Sequence, residues 1–298
     1  MRRVAAGAAS IVVLGAAACA APGGAVPVGP AAAQSPPPSA ADARAPAAAA
    51  TPTLAPDAGP GVVSFANVFL GNVPFERRAP GPIGGRRGAR LAIEGNLADG
   101  AKELERRGVS LARRGGTYEL VITGYPSPKD RARDRDRQAS FVVDFDTAPV
   151  RGARAKAVEA KGDQPTMRDL TGFVAAYIEQ KNLSRGYDIA SVVARRREGD
   201  CSEHAVLLAA LGRSFGFAVR VVHGVVLVDQ GGALIGGMHA WTEWHDGKEW
   251  APADAAIGSE HDPVYLPLET LDDEGPSFGR GLLLFASREI RGIAASPK

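Results

Sequence analysis

Apolar and polar positions divide the chain into stretches of unlike character. In TMRDLTGFVAAYIEQK, from Thr166, residues Leu170, Phe173, Val174, Tyr177 and Ile178 fall at i, i+3, i+4, i+7 and i+8, the spacing of one helix face. Thr166 and Asp169 open it at capping-box spacing. YDIASVVARRR, from Tyr187, predicts a shorter helix with Ile189, Val192 and Val193 on one side. REGDCSEHAVLLAALGRSFGF, from Arg197, predicts a third. Asp200 is its N-cap, Glu203 completes a capping box, and Gly216 is its C′ residue. From Ala205 to Leu211 it is apolar on nearly every side, the pattern of a helix buried all round. FAVRVVHGVVLVD and GGMHAWTEWHDGKEWAPADA then read as strands, with Asp246-Gly247 as a two-residue hairpin turn.

Upstream, over 62–150, the pattern is mostly extended. RLAIEGN, TYELVITGY and ASFVVDFD predict short strands, and LADGAKELERRGVSLARR predicts a helix running on to Leu111. This small α+β segment contains no Cys, no His and no Gly-rich phosphate loop, and no chemistry is assigned to it.

The N-terminal stretch differs again. Arg2 and Arg3 precede an uncharged run from Val4 to Ala18, which reads as an export signal over residues 1–20. The run is short of the roughly 20 apolar residues of a membrane span. Residues 21–61 are almost wholly Ala, Pro, Gly and small polar side chains and read as a disordered tether. LGAAAC, ending at Cys19, resembles the lipobox of bacterial lipoproteins, with Ala16 where that motif prefers Leu. The resemblance implies lipidation of Cys19; simple cleavage after Ala18 or Ala20 is the alternative.

Charge and cysteine usage narrow the possibilities. A net charge of +2 gives no argument for nucleic acid, and KDRARDRDR, from Lys129, alternates in sign as a solvated loop does. The chain has two cysteines, so beyond the signal Cys201 has no internal partner for a disulfide. A lone thiol in an exported chain is a candidate reactive group, and a small buried hydrophobe is the plainer alternative. Its place decides between them. Cys201 falls at the first position of the predicted helix, where unpaired N–H groups and the helix dipole favour negative charge. Such settings lower a thiol's pKa, and the thiolate is the nucleophile.

A thiolate needs a base, and the base an orienting group. With a two-residue turn at 246–247, His239 falls directly opposite Asp254, and Pro252 opposite Trp241, where a bulge or a sheet edge is expected. His204 lies on roughly the same helix face as Cys201, so a zinc site from Cys201, His204 and His239 is an alternative, although no CxxC or HxxxH pair accompanies it. His223 reads as a core histidine, and His245 and His261 as solvent-facing. Of Trp241 and Trp244, at least one reads as core packing, and a second outside the core would wall the substrate cleft.

GDCSEHAVLLAALGRSFGFAVRVVHG and GGMHAWTEWHDGKEWAPADA together resemble the transglutaminase-like superfamily, over roughly Thr166 to Ile257. The shared pattern is Gly-x-Cys at a helix start, a Gly at its end, a strand with Arg-Val, then His-Ala-Trp and an Asp beyond a later Trp. Ala255-Ala256 stand where the family often has Pro-Thr. The resemblance implies an α+β, papain-like fold: a buried helix carrying the Cys, packed on an antiparallel sheet carrying the His and the Asp, all within 151–298. It implies a catalytic triad of Cys201, His239 and Asp254, acting on peptide or side-chain amides as a hydrolase or a transamidase. No cofactor and no metal are expected, since the calcium sites of animal members have no counterpart. The expected substrate is a peptide or protein, such as cell-envelope material, met by an exported protein held at the membrane through Cys19. A catalytically silent scaffold with the same fold is the competing reading.

Overall fold

The computed structural model describes residues 74–97, 99–181, 188–258, 261–271 and 290–298. The predicted signal, the tether and Cys19 lie outside the described residues. In chain order the elements are β1 (Phe75–Arg77), β2 (Ala89–Gly95), α1 (Asp99–Arg106), β3 (Leu111–Arg114), β4 (Thr117–Ile122), α2 (Ala148–Lys161), α3 (Met167–Tyr177), β5 (Gln180–Lys181), α4 (Ala190–Arg196), β6 (Glu198–Gly199), α5 (Cys201–Ser214), β7 (Val219–Gln230), β8 (Ala233–His245), β9 (Trp250–Ala253), β10 (Val264–Thr270) and β11 (Ile290–Pro297).

The fold is α+β. A four-stranded antiparallel sheet, in the order β10-β7-β8-β9, is joined by a five-stranded sheet, β1-β11-β2-β4-β3. In the second sheet only the β1–β11 pairing is parallel. β11 draws residues 290–297 into a sheet otherwise made from 75–122, so the segments 62–150 and 151–298 share a sheet, and the expected boundary at 150 falls inside α2.

α5 is buried as its composition demands. Val206, Leu207, Leu208, Ala209, Ala210 and Leu211 are fully covered, in a core shared with α2, α3, α4 and one face of the four-stranded sheet. β7 is apolar on both faces because both are covered. Val219 and Val221 enter the helical core, Val225 and Leu227 the core of the five-stranded sheet, and Val222, Val226 and Val228 pack with Trp241 and Tyr265.

Two upstream expectations are corrected. The helix predicted to reach Leu111 stops at Arg106. Gly108, at φ +79°, turns the chain in a conformation open to glycine, and Leu111–Arg114 pair with β4 as a strand. ASFVVDFD forms no strand. Val142 and Val143 are both buried among the helices, and the Val142 carbonyl accepts the Ala190 amide at 2.9 Å. Adjacent apolar residues buried on the same side are incompatible with the two-residue period of a strand. α2 was not anticipated, because only Val150, Ala153 and Ala157 of its 14 residues are buried and its apolar stripe is thin.

The N-terminal segment anchors the back of the four-stranded sheet through charge. Glu243, on β8, is fully buried. It accepts from Arg107, from the Tyr125 hydroxyl and, at 3.0 Å, from Arg220 Nε. Arg107 also donates to Glu103 at 2.5 Å and to Thr270 Oγ1 at 2.8 Å, and Arg220 donates to Asp130 at 2.8 Å. A buried charge is tolerated only when paired in this way. Glu243→Leu removes the buried carboxylate that Arg107 and Arg220 share, leaving each with one carboxylate partner, and urea denaturation of the variant is expected to show a loss of about 3 kcal/mol. Wild-type stability in that variant would mean the cluster is not what joins the segment to the sheet.

Candidate active site

Cys201 is the first residue of α5, as expected from its capping signals. Asp200 Oδ1 accepts the Ser202 amide at 2.9 Å, and Glu203 Oε2 accepts the Asp200 amide at 2.9 Å. This reciprocal cap explains the glycine two residues before the thiol. Gly199 has φ +153°, and a Cβ there would lie 2.2 Å from Glu203 Cβ, so the Glu203 side chain can fold back over the helix start only beside glycine. Cys201 is half-buried and unpaired as a thiol. Glu203 is raised above the ordinary carboxylate range, first by burial and then by its bond to and the charge of Asp200.

His239 lies on β8, opposite Gly224 of β7. A Cβ at 224 would meet the Leu266 carbonyl oxygen at 2.1 Å and the Trp241 ring at 2.9 Å; glycine therefore lets that indole lie close beside the histidine. The His239 and Trp241 rings stack with centroids 6.0 Å apart and planes 17° apart.

The hairpin register differs from the expected one by two residues. Thr242 pairs with Ala253, Glu243 with Pro252, Trp244 with Ala251 and His245 with Trp250. Asp246 makes the turn longer. Its Oδ1 accepts the amides of Lys248 and Glu249 at 2.7 and 2.9 Å, and its own amide donates to the Glu249 carbonyl at 3.1 Å. Residues 246–249 thus form the loop, and Pro252 sits on the edge strand, where its missing donor is tolerated. Pairing between β8 and β9 ends at Thr242 and Ala253. Asp254 is the next residue and reaches His239 past the end of the ladder, Oδ2 to Nε2 at 2.7 Å.

The Asp254 carboxylate is saturated. Oδ2 also accepts the Tyr265 hydroxyl at 2.9 Å, and Oδ1 accepts the amides of Ala256 and Ile257 at 2.9 and 3.1 Å. Burial pushes Asp254 towards the neutral form, but the charge and hydrogen bond of His239, the Ile257 amide and the Tyr265 hydroxyl outweigh it and hold the group below its ordinary value. His239 is 8 % exposed. Burial pushes it down, while the Asp254 charge, the bond to Asp254 and a hydrogen bond with Cys201 push it up to about 10. Because a carboxylate only accepts, Nε2 carries the proton towards Asp254, which leaves Nδ1 for the thiol. The structure therefore brings Cys201, His239 and Asp254 together.

The remaining candidates are placed elsewhere. His204 is buried, its Nδ1 2.6 Å from the Asp200 carbonyl. Among the described residues no group of three or more His, Cys, Asp or Glu side chains is arranged to hold a metal ion. His223 is buried, its Nδ1 3.5 Å from Glu269. His245 Nδ1 accepts the Gly247 amide at 3.1 Å, and its ring meets Trp250 edge-on. Trp241 is buried and donates its indole N–H to the Tyr125 hydroxyl at 2.9 Å. Trp244 is partly buried against Phe217 and the helical core. Tyr265 and Tyr125 were not singled out from the sequence. For Tyr125 the available signal was Glu243, a carboxylate spaced two and four residues from Trp241 and His239 in a largely apolar strand, which demands buried donors from elsewhere in the chain.

Residues 153–255, which contain Cys201, His239 and Asp254, match the model of the transglutaminase-like superfamily. No curated protein matches the chain by sequence. Solved structures overlap it loosely. A candidate cysteine protease from Cytophaga hutchinsonii is 12 % identical, with 64 % of this chain and 80 % of that one covered and a TM-score of 0.38. The periplasmic domain of TgpA from Pseudomonas aeruginosa, bound to ethylmercury, is 18 % identical, with 60 % and 73 % covered and a TM-score of 0.33. A TGase is 13 % identical, with 62 % and 55 % covered and a TM-score of 0.30.

The His239–Asp254 pair makes stability depend on pH. Raised in the folded state, His239 contributes fully below its ordinary value of 6.5, and the contribution is lost as pH rises towards about 10. Lowered in the folded state, Asp254 contributes fully above its ordinary value of 3.8 and loses that contribution as pH falls below it. The melting temperature of the wild type is therefore expected to decline between pH 6.5 and 10 more steeply than that of Asp254→Asn. Parallel curves would show that the pair is not coupled in this way.

Proposed function

We propose that the protein is an exported thiol enzyme that transfers acyl groups from amides, with Cys201 as nucleophile, His239 as its proton partner and Asp254 as the orienting carboxylate. The observation that carries this reading is the 2.7 Å bond fixing His239 through Nε2 while its other face meets a thiol at a helix start.

In the proposed cycle the Cys201 proton resides on His239. The sulfur attacks the carbonyl carbon, and the C=O π electrons move to oxygen. The backbone N–H of Cys201, at the helix start, can donate to that oxyanion. Trp241 is not a second donor, its N–H being committed to Tyr125. As the oxyanion collapses the C–N bond breaks, and His239 delivers its proton to the departing amine. A thioester on Cys201 remains. Water, giving its proton to His239, yields a carboxylic acid; an amine yields a new amide. The substrate class is peptide or protein, with envelope peptides the first to test for an exported enzyme.

The test is mass spectrometry of cell-envelope material incubated with wild type and variants, looking for cleaved or cross-linked amides. Cys201→Ala and His239→Ala are expected to give only background product while staying folded. Asp254→Asn is expected to keep residual turnover, reduced on the order of 10²-fold. In wild type, iodoacetamide should label Cys201 fastest near neutral pH. Full activity in Cys201→Ala would end the assignment.

Export and anchoring rest on the N-terminal sequence. Among the described residues no helix is long and apolar enough to cross a membrane, and the anchor in this reading is an acylated Cys19. Metabolic labelling with palmitate is expected to mark wild type and not Cys19→Ser, with wild type alone entering the detergent phase. An unlabelled, aqueous wild type would exclude the anchor and leave the thiol chemistry untouched.

A further inference from the structure

Asp254 Oδ2 takes two donors, His239 Nε2 at 2.7 Å and the Tyr265 hydroxyl at 2.9 Å. Tyr265 comes from β10, which pairs with β7 and not with β8. Its ring is held on two sides, by Trp241 at 4.9 Å between centroids and edge-on by Tyr125 at 5.7 Å. Trp241 in turn stacks on His239. Tyr125 does not compete for the carboxylate, because its hydroxyl donates to Glu243 and accepts from Trp241. The Tyr265 hydroxyl is thus buried, held by packed rings, and aimed at the oxygen that orients His239.

We propose that Tyr265 is a positioning residue for the His239–Asp254 pair: its hydroxyl takes a share of the charge on Asp254 Oδ2, fixes the plane of the carboxylate and restrains its pull on the imidazolium. A charged acceptor shared between two donors binds each less strongly than it would bind one alone. An unrestrained carboxylate would hold the His239 proton more tightly, where a general acid has to release it to the leaving amine. The catalytic meaning of the role rests on the acyl-transfer reading; the hydrogen bond and its effect on His239 do not. The titratable groups facing the pair are Cys201 and His204 on α5, Tyr265 on β10 and, behind it, Tyr125.

The test reads His239 directly. The whole chain is prepared with ¹⁵N-labelled histidine, and the His239 signals are identified by their loss in His239→Gln. Tyr265→Phe keeps the ring and removes the hydroxyl. Its His239 titration midpoint is expected to lie higher than in wild type by about half a pH unit, the scale of one redistributed hydrogen bond. Replacing Tyr265 with 3-fluorotyrosine, a stronger donor of nearly the same shape, is expected to move the midpoint the other way, and supplies the answer should the Phe variant fold poorly. A midpoint indifferent to both changes, or moving opposite to these directions, overturns the proposal. An inert Cys201 would sink the acyl-transfer reading and leave this titration standing. A titration unmoved by the hydroxyl would sink the positioning role and leave the thiol chemistry standing.

Discussion

A carboxylate withdrawn from water keeps its charge only if donors already fixed in the fold replace the solvent, and Asp254 collects four of them. Two are backbone amides of the turn that follows it, one is His239 on the neighbouring strand, and one is Tyr265 on the strand at the opposite edge of the sheet. Each depends on a different part of the chain. The turn requires β9 to end at Ala253, the histidine requires the indole of Trp241 beside it with glycine opposite, and the tyrosine requires β10 to lie along β7. The geometry at the thiol is thus a property of the whole sheet, with α5 bringing the sulfur to an arrangement the strands have already made.

The upstream segment enters the same network from behind. It has no histidine or cysteine, yet Tyr125 ties the Trp241 indole to Glu243, and Arg107 neutralises that carboxylate. One face of β8 therefore reads His239, Trp241, Glu243, running from the histidine beside the thiol to the buried ion cluster through the indole that both touch. A segment with no apparent chemistry fixes the wall against which the histidine stands.

Much of this was legible in the sequence, and the rest was hidden for identifiable reasons. The helix carrying Cys201 announced its start through Asp200 and Glu203, because capping is chemistry local to four residues. His239 and Asp254 were expected to meet, and they do, although the register is two residues from the expected one. A strand has a period of two, so a slip of two keeps every side chain on its face, and only the detail of the contact changed, from directly opposite to past the ladder's end. Asp246 lengthened the turn by accepting two amides, an option open to aspartate that Asp-Gly alone does not reveal. Tyr265 was invisible because the contact depends on β10 lying along β7, and nothing about VYLPLET marks its tyrosine as a donor. α2 was missed because its buried face is mostly alanine, and ASFVVDFD misled because adjacent buried valines imitate a strand.

The placement of β11 bears on how the molecule is made. Residues 290–297 lie between β1 and β2, so a sheet begun near residue 75 cannot be completed until residues after 289 have been synthesised. Everything from α2 to β10 is spliced, as one long insertion, between strands of that sheet. Closing so long a loop costs entropy before the pairing returns anything, and such non-local contacts slow folding. The order of assembly follows: the helices and hairpin around Cys201 can gather from near neighbours in sequence, whereas the five-stranded sheet must wait for its middle strand, and until then β1 and the open edge of β2 have no partner.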